Sequence, residues 1–218
     1  MQQEPPIRLD DNDDDDGKAL DDDPNAHRIE REALYQEALG PIRSVYHETE
    51  QRHSHVDVYE FQWTDPKRQE FAWVSGGTSD MDQPGVGRDD DFRRVELVFY
   101  SMRKEPHYAH VVRNFAHYPW ETGAALGPWH TLPLGDLAER VLGTKRFTGL
   151  LIAPMLAKSD MRLAGALQFG NAEVFFLSII PLTAREFAAA VENMDAFLEK
   201  LHASKLDMAF DPERAEIL

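Results

Sequence analysis

The chain has 218 residues, 42% of them apolar and including 12 Phe and 4 Trp, enough for one sizeable core with a tail. It contains no cysteine, which removes disulfides, thiolate metal sites and cysteine nucleophiles. Its net charge of −16 argues against a nucleic-acid ligand, whose phosphates it would repel, and favours a basic protein partner.

Residues 1–25 hold nine aspartates and Glu4 against Arg8 and Lys18, half of the net charge. Mutual repulsion and scarce apolar surface predict an acidic tail that buries no core. Within it, Asn12, Asp14, Asp16, Gly17 and Asp23 fall at the first, third, fifth, sixth and twelfth positions of a calcium loop. No apolar helix precedes them and the twelfth position lacks glutamate, so a solvated tail is the favoured reading. The N-terminus has no apolar core of a secretory signal, and no run approaches the roughly 20 apolar residues of a membrane helix. A cytoplasmic protein with a domain over 26–218 is expected.

A helix is predicted over 26–39, with Ile29, Ala33, Leu34 and Leu39 at helical spacing and Gly40-Pro41 as its stop. Residues 55–63 alternate with apolar residues on both faces, Val56 and Val58 against Tyr59, Phe61 and Trp63, as in an interior strand. Strands follow at 70–76 and 93–102, the latter setting Val95, Leu97 and Phe99 opposite Glu96, Val98 and Tyr100. A helix is expected over 106–118, stopping before Pro119, and a short one in "GDLAERVL". Two or three more strands lie in 147–155 and 164–182, with "FGN" as a turn. Thr183 and Glu186 form a capping-box pattern ahead of a single amphipathic helix lined by Phe187, Val191, Met194, Phe197, Leu198 and Leu201. This order implies an α+β domain: one mixed, largely antiparallel sheet flanked by helices.

The stretch "WVSGGTSDMDQP" (73–84) has the composition of an active-site loop. It fails each catalytic spacing. A phosphate-binding loop needs a lysine that never comes, and a nucleophile elbow needs a second glycine after Ser79 that is Met81 here. Gly76 and Gly77 tolerate positive φ, and Thr78, Ser79 and Asp80 can bond their own backbone, so a turn is predicted. His53, His55 and Asp57 alternate at strand period and offer zinc or iron ligands, against the reading of structural histidines. Glu96, if its face is covered, needs a partner such as Arg93, Arg94 or a histidine. His130, beside Trp129 in "GPWHTLP", is a binding-loop candidate. His107, His110 and His117 read as the flank of a helix.

Taken in order, "HVDVYEF" (55–61), "WVSGGTSDM" (73–81), "RRVELVFYS" (93–101), "HYPWETGAALGPWHTLPLG" (117–135), "FTGLLIAP" (147–154) and "FFLSIIPLTAREF" (175–187) resemble the suppressor-of-fused domain family, in its single-domain bacterial form. The resemblance covers about 26–210. Family patterns often have Gly-His where this chain has Trp129-His130, and methionine where Thr78 stands. The resemblance implies a non-enzymatic protein-binding domain without cofactor or metal. Animal members hold a transcription-factor peptide as a strand between two domains, and bacterial members are proposed immunity proteins that neutralise toxins. Expected contact positions are the loops 76–92 and 123–135, with Ser79, Asp80, Glu96, Trp129 and His130. Two other readings stay open: a metal-dependent enzyme using His53, His55 and Asp57, with His130 as a further ligand, and an adaptor capturing an extended peptide on a sheet edge.

Overall fold

The computed structural model of the protein describes residues 24–50, 52–65, 68–87, 90–155, 163, 167–169 and 172–218. The acidic segment 1–23, with its calcium-loop spacing, lies outside the described residues. Helix α1 (Pro24–Leu39) leads into strands β1 (Ser44–Tyr46), β2 (Asp57–Asp65) and β3 (Arg68–Gly76), then a 3-10 turn (Thr78–Asp80) and β4 (Arg94–Ser101). There follow α2 (Tyr108–Thr122), β5 (Thr131–Pro133), α3 (Leu137–Leu142), β6 (Phe147–Pro154), the two-residue β7 (Gln168–Phe169), β8 (Ala172–Thr183), α4 (Ala184–Glu192) and α5 (Met194–Ser204).

The strands form one sheet in the order β1-β2-β3-β4-β8-β6-β5, with β7 pairing β8 off that path. Only β4 and β8 run parallel; all other pairs are antiparallel. The expected mixed, largely antiparallel α+β architecture is what the chain builds. None of the helices among the described residues is long and apolar enough to cross a membrane.

The sheet is buried on both faces, and the strand sequences say how. Val56, Val58, Val95, Leu97 and Phe99 face the cluster closed by Val111, Val112 and Phe115 of α2 and by Ala138 and Val141 of α3. Tyr59, Phe61, Val98 and Tyr100 face the opposite side, under Tyr35 and Leu39 of α1. Further along that second side, Leu151, Ala153, Ile180 and Leu182 pack beneath Ala190 of α4 and Phe197 and Leu201 of α5. At Gly149 a Cβ would strike the Phe187 ring, so the glycine lets α4 lie directly on β6.

Three sequence expectations are corrected. On α1 the buried positions are Arg31, Tyr35 and Leu39, spaced by four, while Ile29 is 65% exposed. Arg31 is charged and escapes an apolar-only count. Helix α2 runs through Pro119 to Thr122. Near a C-terminus the proline removes a single intrahelical bond, and Gly123 in the left-handed region then ends the helix with its N–H on the Pro119 carbonyl. The predicted last helix is two helices. Thr183 and Glu186 do form the capping box, but Asn193 breaks the chain with φ −154° and ψ 96°, and its side chain caps α5 by accepting from Ala196 N–H at 3.0 Å. Val191, just before the break, is 62% exposed.

The C-terminal segment straps the layers together. Beyond Val98 the pairing of β4 with β8 ends, and Phe210 takes up β4's backbone instead, donating to Tyr100 C=O at 2.8 Å and accepting from Met102 N–H at 3.0 Å. Its ring enters the first cluster against Phe99 and Phe147. Arg214 then grips Glu186 at 2.6 and 2.7 Å and donates to Pro181 C=O at 2.9 Å.

Candidate functional site

The stretch that looks most like an active site folds into a socket for one carboxylate. Strand β3 ends at Ser75-Gly76, and Gly77 turns the chain with φ 118°, where any Cβ would collide with the His55 carbonyl. The 3-10 turn that follows brings Ser79 over the middle of β4. Glu96, wholly buried there, accepts from Gly77 N–H (3.0 Å), Ser79 N–H (3.1 Å), Ser79 Oγ (2.6 Å) and Ser75 Oγ (2.5 Å). A fifth donor arrives from α1: Arg31, 2% exposed, places Nη1 3.4 Å from Glu96 and Nη2 2.7 Å from Asp80. Tyr35, one turn on, donates to Ser75 C=O at 2.7 Å. The partners of Glu96 are therefore the turn and Arg31. Arg94 instead bonds Asp82 at 2.7 Å, with Arg93 3.4 Å from the same oxygen.

The electrostatics follow from this packing. Burial opposes the charge on Arg31, but Glu96, Tyr35 and Asp80 together outweigh it and its pKa is raised. Burial pushes the Asp80 carboxyl above its usual range, with Arg31 pulling the other way. Burial, then the Glu96 charge, holds the Tyr35 phenol well above its usual value. Each polar group is thus fixed by another, which is the organisation of a structural joint. Ser79 and Glu96, expected as partner contacts, are both fully buried, so neither reaches a surface. Their role is to hold the turn that displays Asp80 and Met81, the latter 43% exposed.

A second buried carboxylate, Glu48, lies close by at the start of β2. Glu48 accepts from Val56 N–H at 2.9 Å and from His117 Nε2 at 2.8 Å, and its own N–H donates to Asp57 at 3.0 Å. Asp57 also takes His47 Nδ1 and His55 Nε2, each at 3.0 Å. His117, read from sequence as part of a helix flank, is wholly buried, and its Nδ1 has no partner among the described residues. Burial lowers its pKa, against the pull of Glu48. His55 and Asp57 do meet; His53 shares with His55 a cleft of about 440 Å³ lined also by Glu48, Glu50 and Arg52. Among the described residues no group of three or more His, Cys, Asp or Glu is arranged to hold a metal ion. The strand starts only at Asp57, so the alternation expected of 53 and 55 is not imposed on them.

The two expected contact loops do come together, through a residue sequence reading passed over. Gln83, 3% exposed, donates to Phe92 C=O (2.7 Å) and Leu126 C=O (2.9 Å) and accepts from Leu126 N–H (2.8 Å). It stitches the loop after the 3-10 turn to the loop after α2. Trp129 and His130 lie farther off, at β5, with β8 and β6 between them and β4. Trp129 holds φ 67°, a left-handed conformation that suits the glycine common there in the resembling family. Its ring packs on the third cluster, while exposed His130 accepts from Gly127 N–H at 3.2 Å.

Comparison with known proteins adds the lineage. No curated protein sequence matches the chain. Among solved structures, one described as a suppressor of fused homologue from Neisseria gonorrhoeae FA 1090 superposes with a TM-score of 0.63 at 14% identity, covering 89% of this chain and 98% of that one. A structure of a Sufu–Fu complex superposes with a TM-score of 0.61, also at 14% identity, over 88% of this chain and 91% of that one. The family model for suppressor of fused protein matches residues 52–215, which includes the turn, the Glu96 strand and the strap. With the model spanning most of the chain and the sheet built to the plan of those structures, this protein belongs to the suppressor of fused protein (SUFU) family.

Proposed function

We propose that the chain is a non-enzymatic, cytoplasmic protein-binding domain of the immunity type, which docks on and neutralises a basic toxin partner. The observation that carries this reading is the Gln83 stitch. It joins two surface loops into one rigid face, and pre-organised loops on a fixed scaffold are what a docking surface needs. The first of these loops carries exposed Met81 and exposed acidic Asp90 and Asp91, a composition suited to a cationic partner. The polar residues that could have served chemistry, Ser79 and Glu96, are committed to the socket. Family membership supports a protein partner, since one structural neighbour is a Sufu–Fu complex. The test is co-purification with the toxin domain encoded beside this gene, together with protection of cells expressing it. Stable binding plus protection is expected; failure of both overturns the immunity reading.

A second reading, capture of an extended peptide, is favoured by the sheet edge. Strand β1 pairs only with Val58, Tyr59 and Glu60 of β2, so among the described residues no strand covers the outer side of Phe61–Trp63. The opposite edge, β5, is three residues long and carries Pro133, which blunts it. A proline at Gln62 that abolished binding while leaving the loop face intact would favour the edge over the loops.

A further inference from the structure

The Glu48–His117 contact fastens the long β1–β2 connection to α2 through a buried histidine. The connection begins at His47 and rejoins the sheet at Asp57. Glu48 ties it at both ends, to His117 on one oxygen and to Val56 N–H on the other. Arg113, one helical turn before His117, holds the same connection by donating to the carbonyls of Tyr46 and Val56. These last bonds come from a guanidinium and do not change with pH in the physiological range.

His117 is different. With Nε2–H donated to a carboxylate, the neutral ring must carry its bare lone pair on Nδ1, and that atom is buried with no partner among the described residues. A second proton would have to sit on Nδ1, a buried atom with no acceptor among the described residues. The charged groups facing the ring are Glu48 and Arg52 from the connection and Glu121 from its own helix. Arg52 is itself drawn to Glu48, Glu50 and Glu121 at 3.2 to 3.8 Å, so a cation already neutralises much of this carboxylate field. The closed arrangement therefore accommodates neutral His117 and resists the imidazolium.

We propose that His117 is an acid-sensitive pin: protonation releases Glu48 from α2 and loosens the β1–β2 connection between its Arg113 anchors, widening the cleft lined by Glu48, Arg52, His53 and His55. The sign is fixed by linkage. Once detached, the ring regains an ordinary histidine pKa near 6.5, above its value in the closed form, so the open form binds the extra proton and is favoured as pH falls below that value. For a closed form that stays unprotonated, one pH unit below 6.5 multiplies the opening equilibrium by about tenfold.

Hydrogen exchange on the full chain reads this directly at Val56 N–H, whose acceptor is Glu48. Corrected for intrinsic exchange rates, the opening equilibrium at pH 5.5 is expected to be about tenfold that at pH 7.5, with His117→Gln showing no such change. A flat wild-type profile, or a His117→Gln variant that keeps the tenfold response, overturns the proposal. Should His117→Gln fail to fold, the ring titration of His117 followed by NMR in the wild type decides. A midpoint below 6.5 that coincides with the loss of Val56 protection supports the pin, and a midpoint at or above 6.5, or one separate from the loss of protection, refutes it.

Discussion

Two of the buried glutamates that hold this domain, Glu96 and Glu48, sit in contacts built to different standards. Glu96 has five donors, two of them main-chain N–H groups and one a guanidinium. Glu48 has one main-chain donor and one imidazole whose other nitrogen has no partner among the described residues. Both carboxylates are out of water, yet only the first is surrounded by groups that keep their protonation state at any pH the cell meets. A buried charge is permanent when its partners cannot titrate and conditional when one of them can.

The widest test of that contrast is to delete each carboxylate. Glu96→Ala removes the carboxylate facing buried Arg31 and strands the turn's N–H groups, so a loss of about 3–5 kcal/mol is expected in urea unfolding at pH 7.5. Glu48→Ala strands Val56 N–H and His117 Nε2–H, two neutral donors, and is expected to cost about 2 kcal/mol. Equal losses, or a larger loss at Glu48, would break the comparison.

What sequence could and could not reveal follows the same line. The strand faces were legible because apolar residues alternate: Val95, Leu97 and Phe99 against Val98 and Tyr100 fall in two different clusters as their spacing requires. The turn at 76–80 was legible as a turn because two glycines and short polar residues have few other uses. The partner of Glu96 was not. Arg93 and Arg94 were near in sequence, whereas Arg31 lies 65 residues away on a helix whose buried face is marked by Arg31 and Tyr35, the first of them a charged residue. His117 was hidden for a related reason. Its burial depends on Glu48, 69 residues distant, and a histidine among His107 and His110 looks like surface until that carboxylate is placed. Trp129 carried a signal, since a position where the resembling family has glycine implies a left-handed backbone, and φ is 67°.

A narrower test uses pH. His117 is held below its ordinary pKa, so the unfolded chain takes up more protons than the native one once pH drops under about 6.5. Global stability should fall from pH 7.5 to 5.5 by up to about 1.4 kcal/mol for that residue, and His117→Gln should remove this portion of the slope. Chemical denaturation across that range provides the measurement; an unchanged slope in the variant would mean that another group sets it.

The smallest effect separates a loose end that titrates from one that cannot. The well-satisfied turn has its own unpartnered atom: Thr78 is fully buried, and its Oγ1 has no hydrogen-bond partner among the described residues. A hydroxyl in that position has given up water and received nothing, while an apolar group of the same shape has no such deficit. Thr78→Val keeps the β-branched outline and should raise stability by about 1 kcal/mol, which fits the apolar methionine common there in the resembling family. Because neither Thr nor Val titrates, that gain should be the same at pH 7.5 and pH 5.5. A gain that varied between the two would tie the turn to an ionising group and erase the distinction between a socket indifferent to acid and a pin that responds to it.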